Sequence, residues 1–392
     1  MANILLAWEL GGGYGHLAPL RILARQLRAA GHQCVFAVRH LESAGQILEP
    51  GLGPVLQAPV RLGNGRNPVQ LQLSFASLLH NIGFDDPVGL AARIAAWREL
   101  MRASRIERVV ADHSPTALIA ARSLGLPVNA IGGGFWYPPR TQPFPSFQPW
   151  ADVPRQQLLA NEALVLAALN QALARLGIAP YERLQQIFDG CRCALLTYPE
   201  LDHYETPRDD PYFGQLDMAY GPAPRWPDGD GPRVIAYLRA HSHLEPLLKA
   251  LAAAPARVLL RIDELEPERL RPWLRPGFEI ASGAVNLRLA AQECDVFVNY
   301  GALGTVSEML LAGKPGVLWP DTVERWLVAR RAGQLGAVLS APHSGAFDAA
   351  AAIRQVLEDS SLRQNAERFA ARYRSHDRAA VPEAVVRQLL AY

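Results

Sequence analysis

Two glycine-bearing turns hold the residues of this sequence whose types and spacing suit chemistry. The first, Gly11-Gly-Gly-Tyr-Gly-His16, follows a strand-like segment at residues 3–8. The second runs from Tyr300 to Thr305 and follows the β-branched Val296 and Val298. Glycine lets a backbone turn sharply and lets a ligand approach it closely. Because a helix that begins at such a turn offers N–H groups and the positive end of its dipole, the second turn predicts a phosphate site.

The residues after the second turn predict a helix. An apolar stripe at i, i+3 and i+4 begins at Val306, and Gly313 predicts the end of the helix. The pattern Thr305-x-x-Glu308 fits two interpretations. The two side chains could contact a ligand, or they could form a capping box that satisfies only the first N–H groups of the helix.

His16 and Asp112 are the candidates for acid–base chemistry. His16 follows the predicted strand at 3–8, and α/β sheets place their ligand crevices at the carboxyl ends of strands. An imidazole there suits a general base, and a structural role is the alternative. Asp112 ends the predicted strand at 107–111, just before the helix start predicted at Ser114-Pro115. It could support that helix cap, or it could orient His16 and stabilise its cation.

The first turn nearly matches the glycine fingerprint of dinucleotide-binding proteins. His16 takes the place of the third glycine in that fingerprint. The second predicted strand, at 33–38, ends in Arg39 rather than in the acidic residue that binds an NAD ribose. The sequence therefore argues against a nicotinamide cofactor.

A loop rich in proline and aromatic residues follows the predicted strand at 128–131. Phe135 and Trp136 lie in this loop, and Tyr14 lies in the first turn. Large apolar side chains near the carboxyl edge of a sheet could form a substrate wall. The alternative is a loop that packs only on its own domain.

Length and composition predict a globular protein of two domains. At 392 residues, 49% of them hydrophobic, the chain exceeds the size at which one hydrophobic core keeps growing. The 39 basic residues are spread among 37 acidic ones, so the concentrated basic face of a nucleic-acid-binding protein is not expected. The segment 207–232 is rich in Pro, Gly and Asp and predicts a linker. We therefore expect domains at 1–220 and 221–392.

Cysteine usage and hydropathy predict the compartment. The four cysteines are scattered, so we expect free thiols and no metal site. No apolar stretch has the length of a signal peptide's core or of a membrane span. We expect a cytoplasmic protein without stable membrane insertion.

Three motifs share their spacing with one known family. They are Gly-x-Gly-His16-x-x-Pro19, Gly301-x-x-Gly304-Thr305-x-x-Glu308 with Gly313-x-Pro315, and Trp319-Pro320-x-x-x-Glu324. The first resembles the N-terminal signature of family 1 glycosyltransferases, the UDP-glycosyltransferase-like group. The other two resemble the donor signature of the same family. The segment from Gly301 to Glu308 is also similar to the peptidoglycan N-acetylglucosaminyltransferase.

This resemblance implies an α/β protein with the GT-B fold, in which two Rossmann-like domains face each other across a cleft. It implies that the last helix, starting near Pro382, packs back on the N-terminal domain. The implied activity is inverting, metal-independent transfer of a sugar to an acceptor hydroxyl. The donor would be a UDP- or dTDP-linked sugar acting as co-substrate, with no further cofactor, and the acceptor would be a small molecule or lipid-linked.

The resemblance also assigns roles to residues. His16 would be the general base and Asp112 its carboxylate partner. Independently of the resemblance, Tyr14, Phe135 and Trp136 are the candidates for contact with the acceptor. The turn from Gly301 to Thr305 would bind the diphosphate, with the helix dipole in the part that a cation plays elsewhere. Glu308 would bind the ribose, and Glu324 the donor sugar. The full set of donor-binding candidates is Arg239, Ser282, Tyr300, Gly301, Ala302, Leu303, Gly304, Thr305, Glu308, Glu324 and Arg325.

The sequence departs from the family pattern at three positions. Tyr300 stands where the family usually has histidine, and Arg325 stands where it usually has glutamine. Ser282 lies near the position at which the family often has a tryptophan whose indole stacks on uracil. Arg325 could favour an acidic donor sugar, reach the diphosphate or pair with Glu324. Tyr300 and Ser282 keep open the alternative of a nucleotide-sugar-binding protein without transfer activity. A sugar-nucleotide epimerase on the same double-Rossmann architecture is a further alternative.

Overall fold

The chain folds into two compact α/β units. The computed structural model describes residues 1–12, 15–63, 68–217, 221–241, 244–263, 265 and 267–391. The first unit comprises Met1–Tyr198, Tyr204–Leu216 and Arg378–Tyr392, and the second comprises Pro199–His203 and Asp217–Asp377. The chain therefore crosses from the first unit to the second between residues 216 and 217, within the segment predicted as a linker. The short segment 199–203 also belongs to the second unit.

The first unit is built on a parallel sheet. Its strands, among the described residues, are β1 (Asn3–Trp8), β2 (Gln33–Val38), β3 (Val55–Gln57), β4 (Arg108–Asp112), β5 (Val128–Gly132) and β6 (Arg192–Leu195). They lie in the order β3-β2-β1-β4-β5-β6. Every residue of β1 after Asn3 is buried, as expected for a strand whose sheet has helices on both faces. The strand order reverses between β1 and β4, where Trp8 pairs with Asp112.

Helices connect these strands. They are α1 (Leu17–Ala29), α2 (Leu41–Ile47), α3 (Phe75–Leu79), α4 (Pro87–Ala103), α5 (Pro115–Ser123) and α6 (Arg155–Arg175). Leu20, Leu23 and Leu27 of α1 are buried and recur on one helix face, so the sequence period itself places this helix against the sheet.

The second unit repeats the same topology. Its described strands are β7 (Arg233–Arg239), β8 (Arg257–Asp263), β9 (Phe278–Ile280), β10 (Val296–Asn299), β11 (Gly316–Leu318) and β12 (Val338–Ser340). They are parallel and lie in the order β9-β8-β7-β10-β11-β12. The order reverses between β7 and β10, where Tyr237 pairs with Asn299. Each sheet therefore has the 3-2-1-4-5-6 order of a Rossmann-like domain.

Seven further helices complete the described chain. They are α7 (Leu244–Ala253), α8 (Leu287–Glu293), α9 (Leu303–Leu311), α10 (Val323–Gln334), α11 (Ala349–Glu358), α12 (Ser360–Arg372) and α13 (Val381–Leu390). The last of these, α13, lies in the first unit and contacts α1 and β6. Arg108 donates a hydrogen bond to the carbonyl of Leu389 in α13, at 2.8 Å. Among the helices that the structure describes, none has the length and apolar character needed to cross a membrane.

The structure differs from the sequence prediction at the sheet edges. Two edge strands, β3 and β12, were not predicted. Each has three residues, too few for an alternating pattern to be visible. Helix α6 ends at Arg175, and residues 184–188 form a 3₁₀ turn.

Candidate active site

The candidate site of the first unit lies where its strand order reverses. Neighbouring strands that send their connections to opposite faces leave a crevice at their carboxyl ends, and ligands of open α/β sheets bind there. In this unit the two strands are β1 and β4, and their last residues, Trp8 and Asp112, are paired in register. Of the two predicted catalytic residues, Asp112 ends β4 and His16 lies in the loop after β1.

His16 and Asp112 contact each other, as one of the two interpretations of Asp112 predicts. The distance from His16 Nδ1 to Asp112 Oδ1 is 3.2 Å. The carboxylate is 4% exposed and the imidazole is 23% exposed. Because an ionised carboxylate only accepts hydrogen bonds, this contact places a proton on Nδ1 and leaves the lone pair of the neutral ring on Nε2. The pair has the geometry of a base with its orienting carboxylate.

Two aromatic rings surround the imidazole of His16. The indole of Trp8 stacks on it with ring centroids 5.5 Å apart and an angle of 22° between the planes. The ring of His113 lies 5.9 Å away at an angle of 45°. Trp8 is fully buried, and its Nε1 donates to the carbonyl of Leu10 at 2.7 Å. An indole face attracts a cation, so Trp8 favours the protonated form of the imidazole.

Gly11 leaves space beside the second nitrogen of His16. Its φ is +84°, a value that side chains rarely adopt, and a Cβ atom there would lie 2.5 Å from His16 Nε2. The glycine is therefore required both by the turn and by the ring next to it. A substrate hydroxyl can approach Nε2 only if this space stays open.

Glu9 is a buried carboxylate that the sequence did not reveal as part of this site. Its two carboxylate oxygens accept the N–H groups of Thr116 and Ala117, both at 3.2 Å, in the first turn of α5. Burial is the largest cause that raises the pKa of Glu9 to about 7, while these hydrogen bonds and the charge of Arg93 act in the opposite direction. An acidic residue directly after a strand was the signal available in the sequence.

The predicted cap of α5 has a different structure. Ser114 occupies the N-cap position and Pro115 the first helical position, as predicted. The hydroxyl of Ser114, however, makes no capping bond and donates instead to the carbonyl of Asp112, at 3.1 Å. The N–H groups that a serine cap would satisfy are already bonded to Glu9.

The aromatic loop after β5 packs inside its own unit. Phe135 and Trp136 are 6% and 3% exposed. Phe135 stacks on Phe147, and Trp136 donates to the carbonyl of Ile131 at 2.9 Å. This packing favours the alternative in which the loop supports its own domain, and contact with an acceptor stays a prediction. Tyr14 lies outside the described residues.

In the second unit, Asn299 shapes the turn between β10 and α9. Its Oδ1 accepts the N–H groups of Gly301 and Ala302, at 2.9 and 2.8 Å, and its Nδ2 donates to the carbonyl of Tyr237 at 2.6 Å. The side chain is fully buried. One carboxamide thus ties the ends of β7 and β10 together and directs the chain into the helix. No local pattern in the sequence distinguishes this asparagine.

The capping-box interpretation of Thr305 and Glu308 is wrong. Helix α9 begins at Leu303 with Ala302 as its N-cap, so Thr305 is already the third helical residue. Thr305 and Glu308 are 5% and 9% exposed. The first turn of a helix cannot bond its own N–H groups within the helix. Leu303 and Thr305 therefore direct backbone donors to the carboxyl edge of the sheet, as a phosphate site needs.

Arg325 lies against this turn. Its guanidinium stands over the ring of Tyr300, 4.3 Å from the centroid, and forms an ion pair with Asp321. A Cβ on Gly301, whose φ is +89°, would lie 2.9 Å from the carbonyl oxygen of Arg325. Arg325 is thus paired with Asp321, and its charge stays beside the start of α9.

The remaining donor candidates are spread along the same edge. Arg239 ends β7, next to β10. Glu324 lies in the first turn of α10, and its Oε1 is 3.9 Å from Nε2 of the buried His203. Ser282 is exposed on the loop after β9, the edge strand of the sheet, where a hydroxyl offers no stacking surface.

The chain is similar in sequence to known glycosyltransferases. No family model matches the chain. It is 25% identical over 306 residues to a PGL/p-HBAD biosynthesis glycosyltransferase of Mycobacterium tuberculosis, covering 71% of this chain and 69% of that one. Over 135 residues it is 30% identical to the UDP-N-acetylglucosamine–N-acetylmuramyl-(pentapeptide) pyrophosphoryl-undecaprenol N-acetylglucosamine transferase of Thermus thermophilus, covering 33% and 38% of the two chains.

Solved structures extend the comparison to the whole chain. CalG4, the calicheamicin glycosyltransferase, superposes with a TM-score of 0.74 at 20% identity, covering 100% of this chain and 99% of that one. The chain has the GT-B fold. The glycosyltransferase VinC, in a complex with dTDP, superposes with a TM-score of 0.68 at 18% identity and covers 99% of each chain. The predicted fold and the predicted resemblance to glycosyltransferases are confirmed.

Gly11→Ala should displace the imidazole of His16. The new methyl group would occupy the space beside Nε2, and an alanine at positive φ costs about 1–2 kcal/mol. We expect a lower free energy of unfolding in urea and a shifted ¹⁵N resonance of the His16 ring. Gly12→Ala is the matched control, because within the described part of the chain no atom other than those of its chain neighbours lies within 4 Å of its Cβ position. An unchanged His16 resonance in Gly11→Ala would mean that the space beside Nε2 is not restricted.

Glu9 should make stability depend on pH. Because its pKa is raised from 4.5 to about 7 in the folded protein, the folded state holds the proton more tightly than the unfolded state. The stability that this proton contributes is present below pH 4.5 and is lost as the pH rises through 7. Relative to Glu9→Gln, the wild type should lose up to about 3 kcal/mol of unfolding free energy between pH 4.5 and 7.5.

Urea titrations at several pH values measure this difference. Glu107→Gln is the control, since Glu107 is exposed at the opposite end of the same sheet. A difference between wild type and Glu9→Gln that does not change with pH would show that folding does not raise the pKa of Glu9.

Proposed function

We propose that this protein is a glycosyltransferase that moves a sugar from a nucleoside-diphosphate donor to an acceptor hydroxyl, with inversion at the anomeric carbon. The similarity to glycosyltransferases in sequence and fold supports the class of reaction. The observation that carries the mechanism is the contact of His16 with Asp112 at the strand reversal of the first unit.

The first unit would activate the acceptor. Asp112 holds the proton on His16 Nδ1, so that Nε2, which lies beside Gly11, would act as the base. The acceptor oxygen forms a bond to the anomeric carbon while its proton moves to Nε2, and the bond from that carbon to the diphosphate oxygen breaks. The resulting imidazolium is stabilised by the Asp112 carboxylate and by the face of Trp8.

The second unit would hold the leaving group. The first turn of α9 directs N–H groups and the positive end of the helix dipole toward the carboxyl edge, and Arg239 and Arg325 add positive charge there. These groups would stabilise the diphosphate as its charge increases, without a metal ion. Glu308 would accept hydrogen bonds from the ribose, and Glu324 would contact the donor sugar.

The donor base is proposed to be thymine or uracil. VinC, with a similar fold, is described in a complex with dTDP, and the Thermus relative is described as acting on a UDP-sugar. Arg325 is held by Tyr300 and Asp321 beside the turn. We therefore assign Arg325 to the diphosphate rather than to selection of an acidic sugar. The proposed acceptor is a small molecule or a lipid-linked hydroxyl compound.

A binding protein without transfer activity is the alternative. It would need the donor site of the second unit, but it would have no use for a buried carboxylate that orients an imidazole in the first. The His16–Asp112 contact therefore favours the enzyme.

Release of nucleoside diphosphate from UDP- and dTDP-sugars, with a panel of phenolic, sugar and lipid alcohols, tests the proposal. His16→Ala should slow transfer by about 10²–10⁴-fold, the usual contribution of a positioned base. Asp112→Asn should also be slow, because an amide cannot stabilise the imidazolium. Calorimetric affinity for the diphosphate should stay unchanged in both variants.

His32→Ala is the matched control, since His32 precedes β2 at the opposite edge of the same sheet. Rates are compared per folded molecule. A His16→Ala enzyme with more than about a tenth of the wild-type rate would exclude His16 as the base.

A further inference from the structure

His113 has a backbone conformation that few side chains tolerate. Its φ is +46°, and among the described residues other than glycine only Arg105 shares a positive φ. In this conformation its carbonyl accepts the N–H of Leu10, at 3.1 Å. The bond joins the loop after β4 to the loop after β1, at the point where the strand order reverses. Asn, Asp and His are the non-glycine residues enriched at positive φ.

The ring of His113 lies between His16 and Trp136. It is 5.9 Å from the ring of His16 and stacks on Trp136 at 6.0 Å, with an angle of 24°. Trp136 is itself fixed by its bond to the carbonyl of Ile131. His113 is 9% exposed, and its Nε2 has no hydrogen-bond partner within the described part of the chain. A buried nitrogen without a hydrogen-bond partner lowers the stability of the folded protein. A histidine at this position must therefore make another contact that offsets this cost.

Two properties explain why position 113 has a histidine: tolerance of a positive φ and the presence of a ring. Of the three residue types enriched at positive φ, only histidine has a ring. A flat ring at this place limits the movement of the His16 imidazole, whereas asparagine or aspartate would leave a gap.

The charges around His113 keep its ring neutral. The charged or titratable groups that act on it are His16 and Arg39, which follows β2. Burial, the positive charge of His16 and that of Arg39, in this order, hold the pKa of His113 well below its usual range. A neutral ring does not compete with His16 for the proton or for the carboxylate.

We propose that His113 is a positioning residue, whose ring holds the imidazole of His16 with Nδ1 on Asp112 and Nε2 beside Gly11. The role in catalysis rests on the proposed function, because it acts through His16. The ring is required for the orientation, and the nitrogens of His113 are not.

Two substitutions separate the ring from the backbone. His113→Asn keeps a residue suited to positive φ and removes the ring, while His113→Phe keeps a ring and strains the backbone. Transfer rates per folded molecule should fall about 10- to 100-fold in His113→Asn and stay within about threefold of wild type in His113→Phe. The KM for the donor should not change in either variant, because the donor is assigned to the other unit.

Stability should show the reverse order. His113→Phe should have the lower melting temperature, and His113→Asn should melt close to the wild type. Wild-type turnover in His113→Asn would overturn the proposal, since the backbone alone would then suffice. Equal slowing in both variants would overturn it as well, since the nitrogens would then be required.

The ring nitrogens of His16 provide a readout that needs no substrate. In ¹⁵N-labelled protein, long-range ¹H–¹⁵N correlation distinguishes the two neutral tautomers, and His16→Gln assigns the signals. The wild type and His113→Phe should hold the proton on Nδ1, and His113→Asn should show exchange between tautomers. A single tautomer in all three proteins would contradict the positioning role, even if no acceptor were ever found.

Discussion

The candidate site of the first unit depends on the parallel pairing of β1 with β4. In this register Trp8 lies beside Asp112, so the residues that follow the two strands are brought close together. His16 then meets Asp112 although 96 positions separate them in the chain. The pairing also brings Glu9 to the first turn of α5, where it bonds two N–H groups. A shift in this register would separate all of these contacts together.

In the second unit, a buried side chain joins the two strands at the reversal and the turn that follows. Its strand order also reverses at the centre, and there the carboxamide of Asn299 bonds β7 on one side and the turn into α9 on the other. Both units thus use the same topology, but one presents an imidazole at the reversal and the other a helix N-terminus. One suits the removal of a proton from an acceptor and the other suits the stabilisation of a leaving diphosphate.

Much of this arrangement could be predicted from the sequence. Buried strands, helix ends and glycine turns have local patterns, so the two Rossmann-like units and the importance of His16 and Gly301 were accessible. The edge strands β3 and β12 were not, because three residues carry no periodicity. Glu9 and Asn299 were missed for a different reason. Their roles depend on partners from other strands, and a single sequence does not show which residues become neighbours.

The same limit explains how the starts of two helices are stabilised. Ser114 and Thr305 both have the sequence context of capping residues. Ser114 occupies the N-cap position as predicted, but its side chain makes no capping bond, and Thr305 is not the N-cap of its helix. At Ser114 the cap is supplied by Glu9, more than 100 positions earlier in the chain. At Thr305 the helix starts three residues sooner than a threonine cap would place it, because the Asn299 side chain already fixes the turn. In both cases a tertiary contact outweighs the local signal.

The central claim is that the start of α9 in the second unit binds a nucleoside diphosphate. Calorimetric titration of dTDP and UDP into the wild type and into Glu308→Ala tests it most directly, with Glu358→Ala, an exposed glutamate at the end of α11, as control. We predict saturable binding to the wild type and to the control. The affinity of Glu308→Ala should be lower by about tenfold or more, because a hydrogen bond to a charged group is lost. Equal affinity of all three proteins for the diphosphate, or the absence of binding to the wild type, would contradict it.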